Sequence, residues 1–481
     1  MQTAVTRAGL LGAALTRPID VAWLAAFRAV FGSLLAISML RFVLYGWVER
    51  FFIAPRFHFK YWGFAWVEPL PGRWMQWLFV GLAVLAFAVA IGCAFRLSAL
   101  LFAVGLSYVQ LIDVTTYLNH YYLAALLAWL LALTPASRIW SIDAWLRSKR
   151  HKAQPAAQVP AGVLYLFRCQ IALVYTFAGL AKLQSDWLVH AQPLRIWLGQ
   201  NTHLPLVGPS FTASWVPLAL SWAGFLFDAT IACWLLLPRT RPFAYIVLIV
   251  FHLLTRVLFP IGMFPAIMIA AALVFFSPSW PRSLSRAWPR SYGRQPSELP
   301  IAPPASAVPE SAAALGVATR ARLPIALGIG YCIIQLALPL RHLYYGGNVL
   351  WHEQGMRFSW RVMVRAKGGD TTFIVRDPSR GHTFHISPRT YLTDTQESEM
   401  SSQPDLILQL AHHIQKDLSQ RGLSSHAANV YVDSRVSLNG RRSRPLVDPT
   451  VDLAKVHDGL APASWVLPAP EQSPPHTRPV L

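Results

Sequence analysis

Between Val21 and Ser277 the chain strings together apolar runs, each close to the ~20 residues that an α-helix needs to cross a hydrocarbon core. Runs of this length and apolar character, sparse in charge, are candidates for membrane-spanning helices. Such helices must be covered on every side, by lipid or by one another. Counted together the runs predict about nine crossings, at 19–45, 74–95, 98–117, 121–134, 163–183, 211–237, 242–257, 261–276 and 323–340.

Charge is distributed to match. Of 481 residues 13% are charged and 54% hydrophobic, where a soluble domain is about one quarter charged. Charges are sparse through the apolar runs and return to normal density after Leu340. The expected architecture is an all-α polytopic membrane helical bundle followed by a small α+β soluble domain. Residues 1–18 read as a leader, 19–277 as the bundle and 278–322 as a Pro/Ser/Ala-rich linker. The last span follows at 323–340, the soluble domain at 341–468 and an unstructured, proline-rich tail at 469–481. Within the soluble part, Phe358 to Tyr391 mixes β-formers with turn signals. Leu406, Leu410, Ile414 and Leu418 recur at helical spacing, and Val430 to Leu438 before Asn439-Gly440 reads as a strand entering a turn.

The formal net charge of +20 raises nucleic acid as a partner, but no recognisable binding module accompanies it. The clusters at 138–152 and 282–294 lie between apolar runs, where positive loops set membrane orientation. With the N-terminus in the cytoplasm, alternation puts Arg7, Arg17, Arg96, both clusters, Arg239 and Arg241 on the cytoplasmic face. Fewer basic residues fall on the other face. Nine crossings then carry the C-terminal domain out of the cytoplasm. The four cysteines, Cys93, Cys169, Cys233 and Cys332, have no CxxC spacing and read as small buried side chains. No metal site is expected.

An ionisable group at a helix centre in lipid costs about 2.5–3.5 kcal/mol on insertion scales. Arg28, Arg41, Asp113, Arg168, Lys182, Asp228 and His252 all fall within the runs. For Arg28, Asp113 and Asp228 the plain reading is mutual pairing that holds the bundle together. Lys182 differs, being the only lysine between Lys152 and Lys367. Desolvation there disfavours its charged form and makes the amine a candidate base; the alternative is a lysine snorkelling from a helix end. His120 opens the fourth run, on the same face as Lys182 in the alternating topology, so the two can share one outward-facing pocket.

The run Phe177-Ala178-Gly179-Leu180-Ala181-Lys182-Leu183, with Asp186-Trp187 after it, resembles the lysine motif of the vitamin K-dependent gamma-glutamyl carboxylase family. Asn119-His120 with Tyr122-Leu123, Phe251-His252 leading to Ile261-Gly262-Met263-Phe264, and Phe276-Ser277-Pro278 with Trp280-Pro281-Arg282 are similar to further blocks of that family. So are Phe358-Ser359-Trp360 with Met363-Val364, Asp448-Pro449 with Val451-Asp452, and Ser464-Trp465-Val466. The blocks occur in the family's order, from about residue 18 to 468.

The resemblance implies a lyase-type enzyme of the HTTM kind. Lys182 would deprotonate reduced vitamin K, a phylloquinol- or menaquinol-type hydroquinone, which O2 then converts to a base strong enough to remove a glutamate γ-proton. CO2 adds to give γ-carboxyglutamate, and the vitamin leaves as its epoxide. It further implies that Asn119 and His120 act near the hydroquinone and the glutamate, with His120 catalytic, and that Arg168, Gln170 and His252 line the pocket. The partners are a glutamate-containing protein or peptide, the lipid-soluble quinol and membrane lipid. Animal members carry a lysine pair where this chain has Ala181-Lys182, and a longer lumenal domain. The arginine- and alanine-rich composition points to a bacterial inner membrane, with site and C-terminal domain facing outward. Two other functions remain open: a quinol epoxidase without protein carboxylation, and a non-catalytic membrane protein on the same scaffold.

Overall fold

A computed structural model describes residues 7–153, 155–287, 310–425 and 428–475. The long helices are α1 (Ala22–Leu44), α2 (Arg73–Ile91), α3 (Phe95–Ile112), α4 (Asn119–Ala132), α5 (Ala161–Lys182), α6 (Trp215–Leu236), α7 (Arg241–Leu258), α8 (Phe264–Ala272) and α9 (Glu310–Leu340). Among the described residues seven helices are long and apolar enough to cross a membrane: α1, α2, α3, α5, α6, α7 and the stretch Arg322–Tyr345. The expected spans at 121–134 and 261–276 are shorter: α4 has 14 residues, and α8 with its 3₁₀ continuation covers Phe264–Phe275. At 1.5 Å per residue these two fall short of a ~30 Å core. Seven of the nine expected crossings are thus full-length candidates, and the other two correspond to the shorter helices α4 and Phe264–Phe275.

Three boundaries also move. The leader contains a helix, Arg7–Thr16, then a strand β1 (Pro18–Asp20) paired antiparallel with β2 (Gln158–Pro160). The final helix starts at Glu310, inside the expected linker, whose residues 288–309 lie outside the described set. The expected tail is held in place as far as Pro475, since Gln192 donates to the Pro475 carbonyl at 3.0 Å and Arg441 to that of Gln472 at 2.6 Å. Its last residues, 476–481, are not among those described.

The isolated cations mostly cap helix ends. Arg28 donates to the carbonyls of Val89 and Ala90, acceptors that the end of α2 leaves open, and to that of Trp140 in the segment after α4, at 2.6–3.1 Å. Asp113 closes α3 and accepts from Thr115, from the His58 ring and from Gln396 of the C-terminal domain. The cysteines depart from expectation: Cys233 is exposed, and Cys169 on α5 meets Cys332 on α9 with sulfurs 3.7 Å apart.

The C-terminal domain is α+β, as its sequence predicts. A four-stranded antiparallel sheet runs in the order β4 (His382–Ile386), β3 (Lys367–Asp377), β5 (Asn429–Leu438), β6 (Arg444–Pro445). Val430, Val432, Val436 and Leu438 are buried on one face of β5, the alternation of a strand covered on one side. They pack with Leu406, Leu410, Ile414 and Leu418 of α10 (Pro404–Gln420). Asn439 and Gly440, both at positive φ, make the turn that follows. This core does not stop at the domain edge. It takes in Phe59, Val114 and Ala181 from the bundle, so the residue beside Lys182 lies in the C-terminal domain's own interior.

Candidate active site

Lys182 is the last residue of α5 and is 5% exposed. Its Nζ donates to Asp228 Oδ2 at 2.7 Å, to the Ala178 carbonyl at 3.3 Å and to the Val362 carbonyl at 3.3 Å. The amine also stands 5.2 Å from the centre of the Trp187 ring. Asp228 belongs to α6 and is likewise buried. The two helices can come this close because of Gly179. A Cβ there would lie 2.7 Å from the Ala229 nitrogen and 3.1 Å from the Asp228 carbonyl carbon. The desolvated amine is therefore paired and does not snorkel from the helix end. A lone ammonium in an apolar interior is strongly disfavoured, and the carboxylate offsets that penalty.

The pair opens onto a cavity of about 210 Å³. Its polar side chains include Lys182, Asp228, Tyr175 and His252, set among apolar walls that include Trp187, Trp197, Phe251 and Phe264. His252 is 1% exposed. Its Nε2 shares a 2.8 Å hydrogen bond with the Tyr175 hydroxyl, while its Nδ1 has no partner among the described residues.

The C-terminal domain completes the site. Val362 and Met363 line the cavity, at the end of a strap in which Glu353, Phe358, Trp360 and Met363 all have φ of 57–60°. Such conformations are unfavourable for side-chain-bearing residues and persist where surroundings enforce them. Here Trp360 is buried and stacks on Tyr122 at 4.9 Å, and the Phe358 N–H donates to the Tyr117 hydroxyl at 2.8 Å. A second tie joins bundle to domain: the Arg441 guanidinium grips Asp186 with two 2.6 Å contacts, and Asn439 adds a third at 2.8 Å. Burial acts to raise the Asp186 carboxyl, but these hydrogen bonds and the Arg441 charge outweigh it and leave it below its ordinary value.

The remaining expected site residues divide. His120 is buried one ring away from the cavity, with Phe264 between: Phe264 lies 6.1 Å from His120 and 5.7 Å from His252. Asn119 accepts from the Tyr117 hydroxyl at 2.9 Å and so braces the strap. Arg168 and Gln170 do not line the cavity. They lie 12 to 14 residues back along α5, about 20 Å at the helical rise. Arg168 caps the carbonyls of Val274, Phe275 and Phe276, and Gln170 accepts from Tyr331 at 2.5 Å. Asp228 and Tyr175 were not foreseen as site residues. For Asp228 a signal existed: it is the only acidic residue between Asp186 and Glu298, just as Lys182 is the only lysine between Lys152 and Lys367.

Residues 16–280 match the HTTM domain, and residues 320–472 match the vitamin K-dependent gamma-carboxylase lumenal domain. No solved structure matches the chain. The first match takes in the bundle and the second the strap and the sheet, so the two meet at the Lys182 cavity. By these matches the chain belongs to the vitamin K-dependent gamma-glutamyl carboxylase family.

Proposed function

We propose that the chain is a vitamin K-dependent gamma-glutamyl carboxylase and that the cavity beside Lys182 receives the reduced vitamin. The observation that carries this reading is one buried amine, paired with one carboxylate, at the wall of a mostly apolar cavity. When bound, the hydroquinone together with O2 supplies a base far stronger than any side chain, which glutamate γ-deprotonation demands. The protein's own residues supply binding, orientation and a proton acceptor.

Lys182 is the base for the hydroquinone hydroxyl in the neutral form of the pair, in which the shared proton rests on the Asp228 carboxyl and the amine lone pair takes the hydroquinone proton. His252 Nδ1 receives the second oxygen of the ring, and its tautomer is set by the Tyr175 hydroxyl at Nε2. The indoles of Trp187 and Trp197 and the ring of Phe264 exclude water, which would quench both a strong base and a carbanion. His120, behind Phe264, serves the later carbon-bond step on the glutamate side. CO2 is the second gas consumed, and a glutamate-containing peptide is the substrate. In this reading the N-terminus is cytoplasmic, and the cavity and C-terminal domain face the far side of the membrane.

The test is to incubate membranes with reduced vitamin K, radiolabelled bicarbonate and a Glu-containing peptide. Wild type is expected to give epoxide and fixed label together, and Lys182→Ala neither. Epoxide without label would leave a quinol epoxidase. Equal output from wild type and Lys182→Ala would remove the enzyme reading altogether.

A further inference from the structure

The Lys182 cavity is not sealed on its outer side. Ala223 of α6 and Leu254 of α7 line it, yet both are exposed on the outside of the bundle, Leu254 by 55%. A side chain that borders a cavity and faces outward at once marks a mouth. α6 and α7 are consecutive and joined by a short loop, 237–240, hence antiparallel neighbours. Across their seam Phe227 stacks on Phe251 with ring centres 3.8 Å apart, which closes it on one side of the mouth. One turn further along α6 stand two small residues, Ala223, which is exposed, and Gly224, which is buried against the Trp187 ring of the cavity wall, where a Cβ would lie 3.6 Å from it.

The size of the cavity bears on what can occupy it. About 210 Å³ lies below the ~300 Å³ at which pockets begin to bury a whole drug-sized ligand. A bicyclic ring fits; a ring with a long chain does not. Outside the mouth the surface is apolar, with Val250, Leu253, Leu226 and Val257 each at least half exposed, as suits a face turned to lipid.

We propose that the cavity is loaded sideways from the bilayer, through a portal between α6 and α7 framed by Ala223 and Leu254. It takes ring-bearing lipids whose apolar chain remains in the portal while the ring lies beside Lys182 and His252. This rests on the quinol reading above and adds the route and a steric dependence on the chain. Because lipid is as apolar as the portal, the chain brings little affinity of its own. The portal acts by leaving room.

The full chain in phospholipid nanodiscs tests this through quenching of tryptophan fluorescence, since Trp187 and Trp197 line the cavity. The probes are menadione, a naphthoquinone ring without a chain, and phylloquinone, the same ring with a phytyl chain. Ala223→Phe narrows the portal from a position already open to the outside, where added bulk does not disturb the core. Ala219→Phe puts the same bulk at another exposed position on α6. The expected result is that Ala223→Phe weakens phylloquinone by ~10-fold or more, about 1.4 kcal/mol. Menadione should stay within roughly threefold, and Ala219→Phe should change neither. Equal weakening of both probes, or of neither, with wild type still binding menadione, overturns the portal and leaves the quinol reading standing. Failure of wild type to bind menadione overturns both. Phytol, a chain without a ring, is expected not to displace phylloquinone; if it does, the site holds lipid chains in general and the ring-bearing assignment falls.

Discussion

Lys182 and Asp228 form a buried ion pair at 2.7 Å between two different helices, α5 and α6. One pair thus links the candidate chemistry to the packing of the bundle. The third acceptor on the amine, the Val362 carbonyl, comes from the C-terminal domain, so the position of Lys182 depends on both parts of the chain.

Removing either partner leaves a buried charge without its counter-ion. Lys182→Ala and Asp228→Ala should each lower stability by about 3–5 kcal/mol. The double variant should lose less than the sum, because nothing charged is then stranded. Thermal unfolding in detergent of the four proteins measures this. Epoxide formation should fall ~10²–10⁴-fold in Lys182→Ala and should not return in the double variant, which separates the catalytic from the packing role.

The two histidines should fail differently. His252→Phe keeps the ring's bulk and removes Nδ1, so the KM for the hydroquinone should rise by roughly threefold to tenfold, one neutral hydrogen bond, with a smaller change in kcat. His120→Ala, one ring removed from the cavity, should retain epoxide and lose fixed label. Steady-state epoxide assays and label incorporation on the same preparations give both answers.

Docking of the C-terminal domain should weaken in acid. Asp186 titrates below its ordinary value because Arg441 and Asn439 outweigh its burial. A carboxyl depressed in the folded state gives its full stabilisation above the unfolded value near about 4, and loses it as pH falls through the lower folded value. The thermal midpoint of wild type should therefore drop more steeply below about pH 4 than that of Asp186→Asn. Parallel curves would show that this tie contributes nothing.

Arg168 should prove structural. Arg168→Met strands the three carbonyls it caps at the end of α8, and each unsatisfied acceptor costs about 1–3 kcal/mol. The melting temperature should fall while kcat per folded molecule stays near that of wild type. Loss of kcat at full stability would return Arg168 to the site.

The sequence by itself determined the solvent of each part. Long apolar runs sparse in charge can only be covered in lipid or in one another, and the helical spacing of Leu406 to Leu418 and the alternation in β5 needed no tertiary information. The ordered motif blocks already carried the family likeness and marked Lys182. Tertiary structure alone decided which polar groups meet. Asp228 is 46 residues from Lys182, and nothing local distinguishes a carboxylate that anchors an amine from one that merely braces a helix. Arg168 and Gln170 share α5 with Lys182, but the helical rise carries them to a different part of the bundle. The strap from Glu353 to Met363 reaches the cavity only because the C-terminal core extends into the bundle. Periodicity records the environment of one element; a site drawn from three elements depends on how they pack.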